Sequence, residues 1–359
     1  MKKILISVGP IPAKLDSVKF VTNRFKGGLA LKTAESLKSL GNDVTIIAWK
    51  FTDLKTDIPI IPIDDVVDYY NKILSLEYDA YILAAAVANL MPSNPYEGKF
   101  PSHKYKVGEK FNIEFEIAPR IIDEIKNKYP RSTLIGYKLY DGTEEELISA
   151  GKKTLFDSKA NIVFANHPKW AKNKKITLTQ DGAVFESSFE EHVYLIHKVV
   201  NESFYSTKII NSQTLLSNDE EYIINNYPKF SQDGRIYGTF AVKRENSFIT
   251  TTRGKSEGEK SVSEVFHVNH EAKIITASKK ATLNAPLLDM FFKLNQNFRI
   301  IIHGHELVGE KVHNEYEFAG SVGDCKYAIK TTPGNKILLN NHGYIVGFEN
   351  IEQFKKWNQ

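Results

Sequence analysis

The sequence predicts an α/β protein of two domains, the first built on a doubly wound parallel sheet of Rossmann-like type. Three observations carry this. The chain has 359 residues, beyond the roughly 100 to 200 usual for one core. Short apolar runs alternate with amphipathic stretches through residues 1–200, in the strand, helix, strand order of a parallel sheet. Ser, Asn and Thr then replace periodic apolar residues over 201–213, which predicts a linker, and 214–359 has a strand-rich cadence of its own.

Lys3 to Val8 is an apolar run ending in Gly9-Pro10, a buried strand opening into a loop. Gly27 to Leu40 has helical spacing and stops at Gly41, a natural cap. Val44–Trp49, Ala80–Ala86, Ser132–Tyr137 and Asn161–Ala165 are further strands, and Thr143–Lys159 is a helix that starts in acidic residues. Doubly wound sheets bind ligands at the carboxyl ends of their strands, so chemistry is expected in the loops after Val8, Ala86 and Tyr137. In the second half, Glu220–Tyr227 predicts a helix; Gly238–Lys243, Ser247–Thr251 and Val262–Val268 alternate as strands; Ala285–Leu294 is an amphipathic helix. Arg299–Ile302 and Lys336–Gly347 are apolar strands.

Composition narrows the class. With 47 basic and 43 acidic residues the formal charge of +4 is too mild and too evenly spread for a nucleic-acid partner. Cys325 is the single cysteine, which excludes an intramolecular disulfide and suits a reducing compartment. The apolar run at the start is too short for a signal peptide, and no stretch approaches the ~20 apolar residues of a membrane span. A cytoplasmic protein with no membrane partner is the expectation.

The loop from Gly9 to Gly28 holds neither the dinucleotide nor the Walker phosphate fingerprint. Its glycines at a helix start, with Lys19, Arg24 and Lys26 nearby, suit either a phosphate site or a solvated basic loop. In order, Gly9, Pro10, Asp16, Lys19, Asn23 and Gly27 resemble the phosphopantothenoylcysteine synthetase family. The resemblance continues through Ala84-Ala85-Ala86-Val87-Ala88-Asn89, an alanine-rich strand end, and through Lys104-Tyr105-Lys106-Val107-Gly108, a lysine-rich flap followed by a strand over Phe111–Phe115. Gly136-Tyr137, Asn161–Asn166, and the hairpin Lys175–Gly182 before a helix over Glu190–Val200 complete it. The chain departs from the family's pattern at Phe25-Lys26, where two serines are usual.

The resemblance implies that CTP or ATP, with Mg2+, activates the carboxylate of 4'-phosphopantothenate and that the amine of cysteine displaces the nucleotide. It implies catalytic roles for Asn23, Lys19, Lys104 and Lys106. Gly9, Pro10, Asp16, Lys26, Gly27, Ala85, Ala86, Val87, Gly136 and Asn166 would contact nucleotide or substrate.

In the second half, alternate residues of a strand face the same way, so His303 and His305 can reach one ion, and His342 in the next apolar run makes a third imidazole. Three imidazoles with an open position are a usual catalytic set for Zn2+ or another divalent metal. His-x-His followed by Asn341-His342-Gly343, with Gly238–Val242, Phe248–Thr251, Gly254 and Ala281–Pro286, resembles the class II aldolase and adducin family and implies an α/β/α fold. Its enzymes carry an acid where Asn284 stands, and Glu306 is a candidate replacement. Both resembled families imply a homo-oligomer. Two functions fit these features: a ligase of coenzyme A synthesis whose aldolase-like domain adds a metal-dependent lyase step or a scaffold, and a non-catalytic fusion that binds a nucleotide or phosphorylated ligand and oligomerises through its second domain.

Overall fold

The computed structural model describes residues 1–170, 174–232, 235–255, 261–306, 316–329 and 336–359. It divides into two compact units, residues 1–178 with 186–201, and residues 179–185 with 202–359.

The first unit is organised by an apolar strand, β1 (Lys3–Val8), whose residues Ile4 to Val8 are all buried. Burial on both faces is what a central parallel strand requires. Following it are α1 (Gly28–Ser39), β2 (Asp43–Trp49), β3 (Ile60–Ile63), α2 (Val66–Ser75), β4 (Ala80–Leu83) and α3 (Ile121–Lys128). The unit continues with β5 (Thr133–Leu139), α4 (Glu144–Asp157), β6 (Ile162–Asn166), the hairpin β7 (Lys175–Thr179) and β8 (Val184–Ser187), and α5 (Phe189–Asn201). The sheet order is β3-β2-β1-β4-β5-β6-β7-β8. Every pairing from β3 to β6 is parallel. The strand order reverses between β1 and β4, so the crevice above their carboxyl ends is the topological switch point. Helix starts follow local chemistry: Thr143 and Glu146 close a capping box on α4, and the Asp65 carboxylate accepts the Val67 and Asp68 N–H groups at α2.

The second unit is a sheet covered on both faces. Its elements are β9 (Ser206–Ile209), α6 (Asn218–Asn226), β10 (Thr239–Lys243), β11 (Phe248–Thr251), β12 (Val262–Asn269), β13 (Ile274–Ala277), α7 (Ala285–Leu294), β14 (Ile300–Gly304), β15 (Ile337–Leu339), β16 (Gly343–Phe348) and α8 (Ile351–Trp357). The order is β9-β13-β12-β11-β10-β14-β16-β15, and β9 lies parallel to β13. Ile301, Ile345 and Val265 pack with Leu288 and Phe291 of α7 in one core. Ile300, Ile302 and Phe348 pack with Ile223 of α6 and Phe354 of α8 in the other. The period-2 alternation of β14 thus feeds both cores and makes three layers.

Several expectations need correction. Residues 201–213 are not a free linker, because Ser206–Ile209 pairs with Ile274–Ala277 at the sheet edge. The long apolar run Lys336–Gly347 is a hairpin, β15 and β16 around Asn340–His342, with Asn341 at φ 56° and Gly343 at φ 94°. Left-handed backbone of that kind turns the chain back where a period-2 pattern continues unbroken. The strand expected over Phe111–Phe115 lies at Phe115–Ile117, and that expected over Ala80–Ala86 ends at Leu83. Residues 179–185, expected within the first domain, group with the second unit.

A Cβ on Gly343 would meet the Gly304 carbonyl oxygen at 1.9 Å. Gly343→Ala therefore adds a backbone clash to a left-handed φ that alone costs about 1–3 kcal/mol. Thermal denaturation should show the second unit melting several degrees lower, with circular dichroism of the cold protein unchanged in strand content.

Candidate functional site

The first cluster lies at the switch point. Gly9 follows β1 at φ 84°, and Pro10-Ile11 pairs with Ala86-Val87 after β4. The Gly9 carbonyl accepts the Ala86 N–H at 3.0 Å, and Ser7 Oγ accepts the Ala85 N–H at 3.1 Å. Gly27 closes the loop onto the same point. A Cβ there would sit 2.3 Å from the Gly9 nitrogen, and its φ is 81°, so only glycine fits on both counts. Asn23 Nδ2 donates to the carbonyls of Ala86 at 3.1 Å and Val87 at 3.0 Å. With both amide protons engaged, Oδ1 is the atom left to a ligand.

Helix α1 begins without a side-chain cap and without an acidic residue in its first turn. Its leading N–H groups and positive dipole end suit an anion, and Lys26 is exposed immediately before them. The sequence thus brought together Gly9, Pro10, Asn23, Gly27, Ala85, Ala86 and Val87. Asp16 and Lys19 are engaged in the loop itself. Asp16 is fully buried, accepts N–H groups of Val18 at 2.8 Å, Lys19 at 2.7 Å and Phe100 at 3.1 Å, and pairs with Lys19 Nζ at 2.6 Å. The Lys19 ammonium, with these N–H groups, holds its carboxyl well below the usual carboxylate range. Lys104 and Lys106 are exposed on a segment where Tyr105 and Phe111 stack on Phe100, with centroids 5.2 and 4.8 Å away.

Gly136 and Asn166 sit on β5 and at the end of β6. A Cβ on Gly136 would press Ile122 at 2.8 Å. Asn166 Oδ1 accepts Lys175 Nζ at 3.2 Å. Lys175 was legible only as a strand residue, yet it is buried, and burial pushes its ammonium pKa down. Nearby His192 is buried and takes the Tyr137 hydroxyl on Nε2 at 2.5 Å; burial, with the Lys175 charge, lowers its pKa to about 3. These interior groups carry no motif and are visible only once α5 is folded onto the sheet.

The second cluster belongs to the second unit. Among the described residues, His303, His305 and His342 offer one ligating nitrogen each, all within 4.8 Å of one another. His303 lies one residue before the end of β14; its ring is 4.7 Å from that of His305 and 4.8 Å from that of His342, centroid to centroid. The His303 Nδ1–H donates to the Tyr344 carbonyl at 2.9 Å, which fixes the tautomer and leaves Nε2 with its lone pair buried and without a hydrogen bond. Burial pushes the pKa of His303 and His305 well down, so both imidazoles are neutral donors. Three convergent imidazoles, with His303 Nε2 and both His342 nitrogens buried and without a hydrogen bond, fit a divalent ion.

Glu306 is exposed. Asn284, at the start of α7, is buried with Oδ1 lacking a hydrogen bond. Among the described residues, the carboxylate paired with these histidines is Asp181, whose Oδ2 is 3.2 Å from His342 Nε2. Thr179-Gln180-Asp181-Gly182 carries only a turn signal, so nothing local marked it. Among the described residues, no helix is long and apolar enough to cross a membrane.

Residues 1–202 match the DNA/pantothenate metabolism flavoprotein C-terminal domain family, and the chain belongs to it. The coenzyme A biosynthesis bifunctional protein CoaBC of Thermococcus kodakarensis is 29% identical over 170 residues, 46% of this chain and 41% of that protein. Its counterpart from Bacillus subtilis is 26% identical over 174 residues, 47% of this chain and 41% of that protein. The chain thus spans about two fifths of the length of these curated relatives. The crystal structure of the DNA/pantothenate metabolism flavoprotein from Streptococcus pneumoniae aligns with 55% of this chain and 96% of its own, at 23% identity and a TM-score of 0.47.

The His192 shift has a measurable sign. Its pKa falls from 6.5 to about 3 on folding, so between those values the unfolded chain binds more protons, and acidification from neutrality costs the first unit stability. Melting of His192→Gln should fall less steeply than wild type between pH 6.5 and 4; parallel slopes would refute it.

Proposed function

We propose that this member of the family is a phosphopantothenate-cysteine ligase of coenzyme A biosynthesis. A nucleoside triphosphate, CTP or ATP with Mg2+, is attacked at its α-phosphorus by the carboxylate of 4'-phosphopantothenate, releasing pyrophosphate. The amine of cysteine then attacks the acyl carbon, the amide forms, and the nucleoside monophosphate leaves. Catalysis of this kind is mainly positioning and neutralisation of phosphate charge. The observation that carries the proposal is Asn23, whose amide spans the Ala86 and Val87 carbonyls at the switch point. There its Oδ1 meets the acyl-nucleotide.

The N–H groups opening α1, with Lys26, receive phosphate oxygens, and the exposed Lys104 and Lys106 close over the triphosphate. Asn166 and Gly136 lie toward base and ribose. Lys19, paired to Asp16, acts by holding the loop in shape and directs only its remaining N–H donors outward. Base selection between CTP and ATP falls to backbone groups near Asn166.

The assay is pyrophosphate release with 4'-phosphopantothenate, cysteine and either nucleotide. Asn23→Leu should lower kcat by ~10²-fold, the scale of losing one group that contacts a transition state, in a protein that still folds but melts lower because the Ala86 and Val87 carbonyls lose their donor. Folded wild-type protein that releases no pyrophosphate with either nucleotide would overturn the assignment.

For the second unit, His303, His305 and His342 hold a divalent ion, Zn2+ in the simplest case. Bound there, it would polarise a substrate oxygen as a Lewis acid. The convergence of the three imidazoles, with His303 Nε2 and the His342 nitrogens lacking a hydrogen bond, favours this. Elemental analysis should find about one such ion per chain in wild type and none in His303→Ala; equal metal in both would remove the site.

A further inference from the structure

We propose that Asp181 is the fourth protein ligand of the ion held by His303, His305 and His342, and that Tyr316 positions it. This rests on the three-imidazole site described above and extends it to a residue from a different part of the chain.

The first support is a contact that is not a hydrogen bond. Asp181 Oδ2 lies 3.2 Å from His342 Nε2, yet that nitrogen is buried with no hydrogen-bond partner. Distance allows the bond and direction denies it. Two donors bound to one tetrahedral ion at ~2.0–2.1 Å stand roughly 3.3 Å apart. The pair therefore has the spacing of neighbouring ligands aimed at a common third point.

The second support is how the carboxylate is held. The Tyr316 hydroxyl lies 2.8 Å from Oδ1 and 2.7 Å from Oδ2. The Thr179 hydroxyl and the Ala183 N–H, the latter at 3.4 Å, also serve Oδ1. Oδ1 thus takes three hydrogen-bond contacts, whereas Oδ2 takes the Tyr316 hydroxyl alone and, turned to His342, keeps a lone pair for an ion. Asp181 is only 8% exposed. Among the described residues its one charged-pair contact is the imidazole, and hydroxyls supply no positive charge. The hydrogen bonds satisfy lone pairs without neutralising the charge, and a divalent ion at this place would supply that positive charge.

The third support is the turn. Gly182 has φ 88°, and a Cβ there would strike the Tyr237 ring at 2.4 Å. That ring is 5.4 Å from the His305 ring, centroid to centroid. The tip carrying Asp181 is thus pressed against the same histidine cluster by a turn that only glycine allows.

A set of three imidazoles and one carboxylate suits borderline ions such as Zn2+ or Co2+. The test uses the full chain stripped with a chelator and reloaded with Co2+, read by its visible spectrum, and with Zn2+, titrated against a chromophoric chelator. Asp181→Asn keeps the shape and the Tyr316 hydrogen bond while removing the charge, and Asp181→Ala removes both. Each should change the cobalt spectrum and weaken Zn2+ binding by about 10–100-fold, and Tyr316→Phe should weaken it by about tenfold without altering the ligand set. Melting of the metal-free proteins checks that the variants fold. If both Asp181 variants bind Zn2+ with wild-type affinity and give the wild-type cobalt spectrum while His303→Ala loses the metal, Asp181 is not a ligand and the three-imidazole site stands. If His303→Ala binds as wild type does, that site falls and this inference with it.

Discussion

In both units the geometry of the candidate site hangs on one kind of contact, a stretch of backbone laid so closely against another that no side chain fits between. Gly27 rests on the nitrogen of Gly9, and Gly343 rests on the carbonyl of Gly304. Each contact occurs where a strand ends, and each carries a left-handed φ. Steric exclusion and backbone preference therefore demand glycine together. The first brings the start of α1 over the end of β1. The second folds an apolar run into a hairpin and sets His342 beside His303. Without these approaches the sheets would still have cores, but their candidate sites would be open loops.

What the approaches bring together is mostly main chain. At the switch point the groups within reach of a ligand are N–H donors at the start of α1 and an asparagine oxygen, with lysines ranged outside. Charge on the loop itself is settled internally, because Asp16 is buried among N–H groups and takes the Lys19 ammonium. That clasp fixes the loop's course toward Asn23, whose amide meets the carbonyls of Ala86 and Val87. Rigidity of this sort is what a reaction governed by positioning requires.

The second unit solves a different problem, that of keeping imidazoles neutral and aimed. Burial disfavours the charged form of His303 and His305, and the Tyr344 carbonyl selects the tautomer of His303. Asn284, standing where an acid is expected, engages no hydrogen bond through Oδ1. The carboxylate instead arrives on a turn far away in the chain, held by Tyr316 and Thr179.

The sequence by itself determined the parts whose cause is local. Period-2 and period-3.6 apolar patterns marked β1, α4 and α7, and the spacing of Gly9, Asn23 and Gly27 marked the loop that closes on the switch point. His303 and His305 shared a face because a strand alternates. Tertiary structure alone decided the rest. The turn at Asn340–His342 hides inside an apolar run, since φ leaves no trace in hydropathy. The edge strand Ser206–Ile209 is made of residues that read as linker until β13 offers its ladder. Lys175, His192 and Asp181 are an ordinary strand lysine, helix histidine and turn aspartate in the sequence. Their surroundings come from segments distant along the chain, and burial and contact across such distances are properties of the packed chain, not of any window within it.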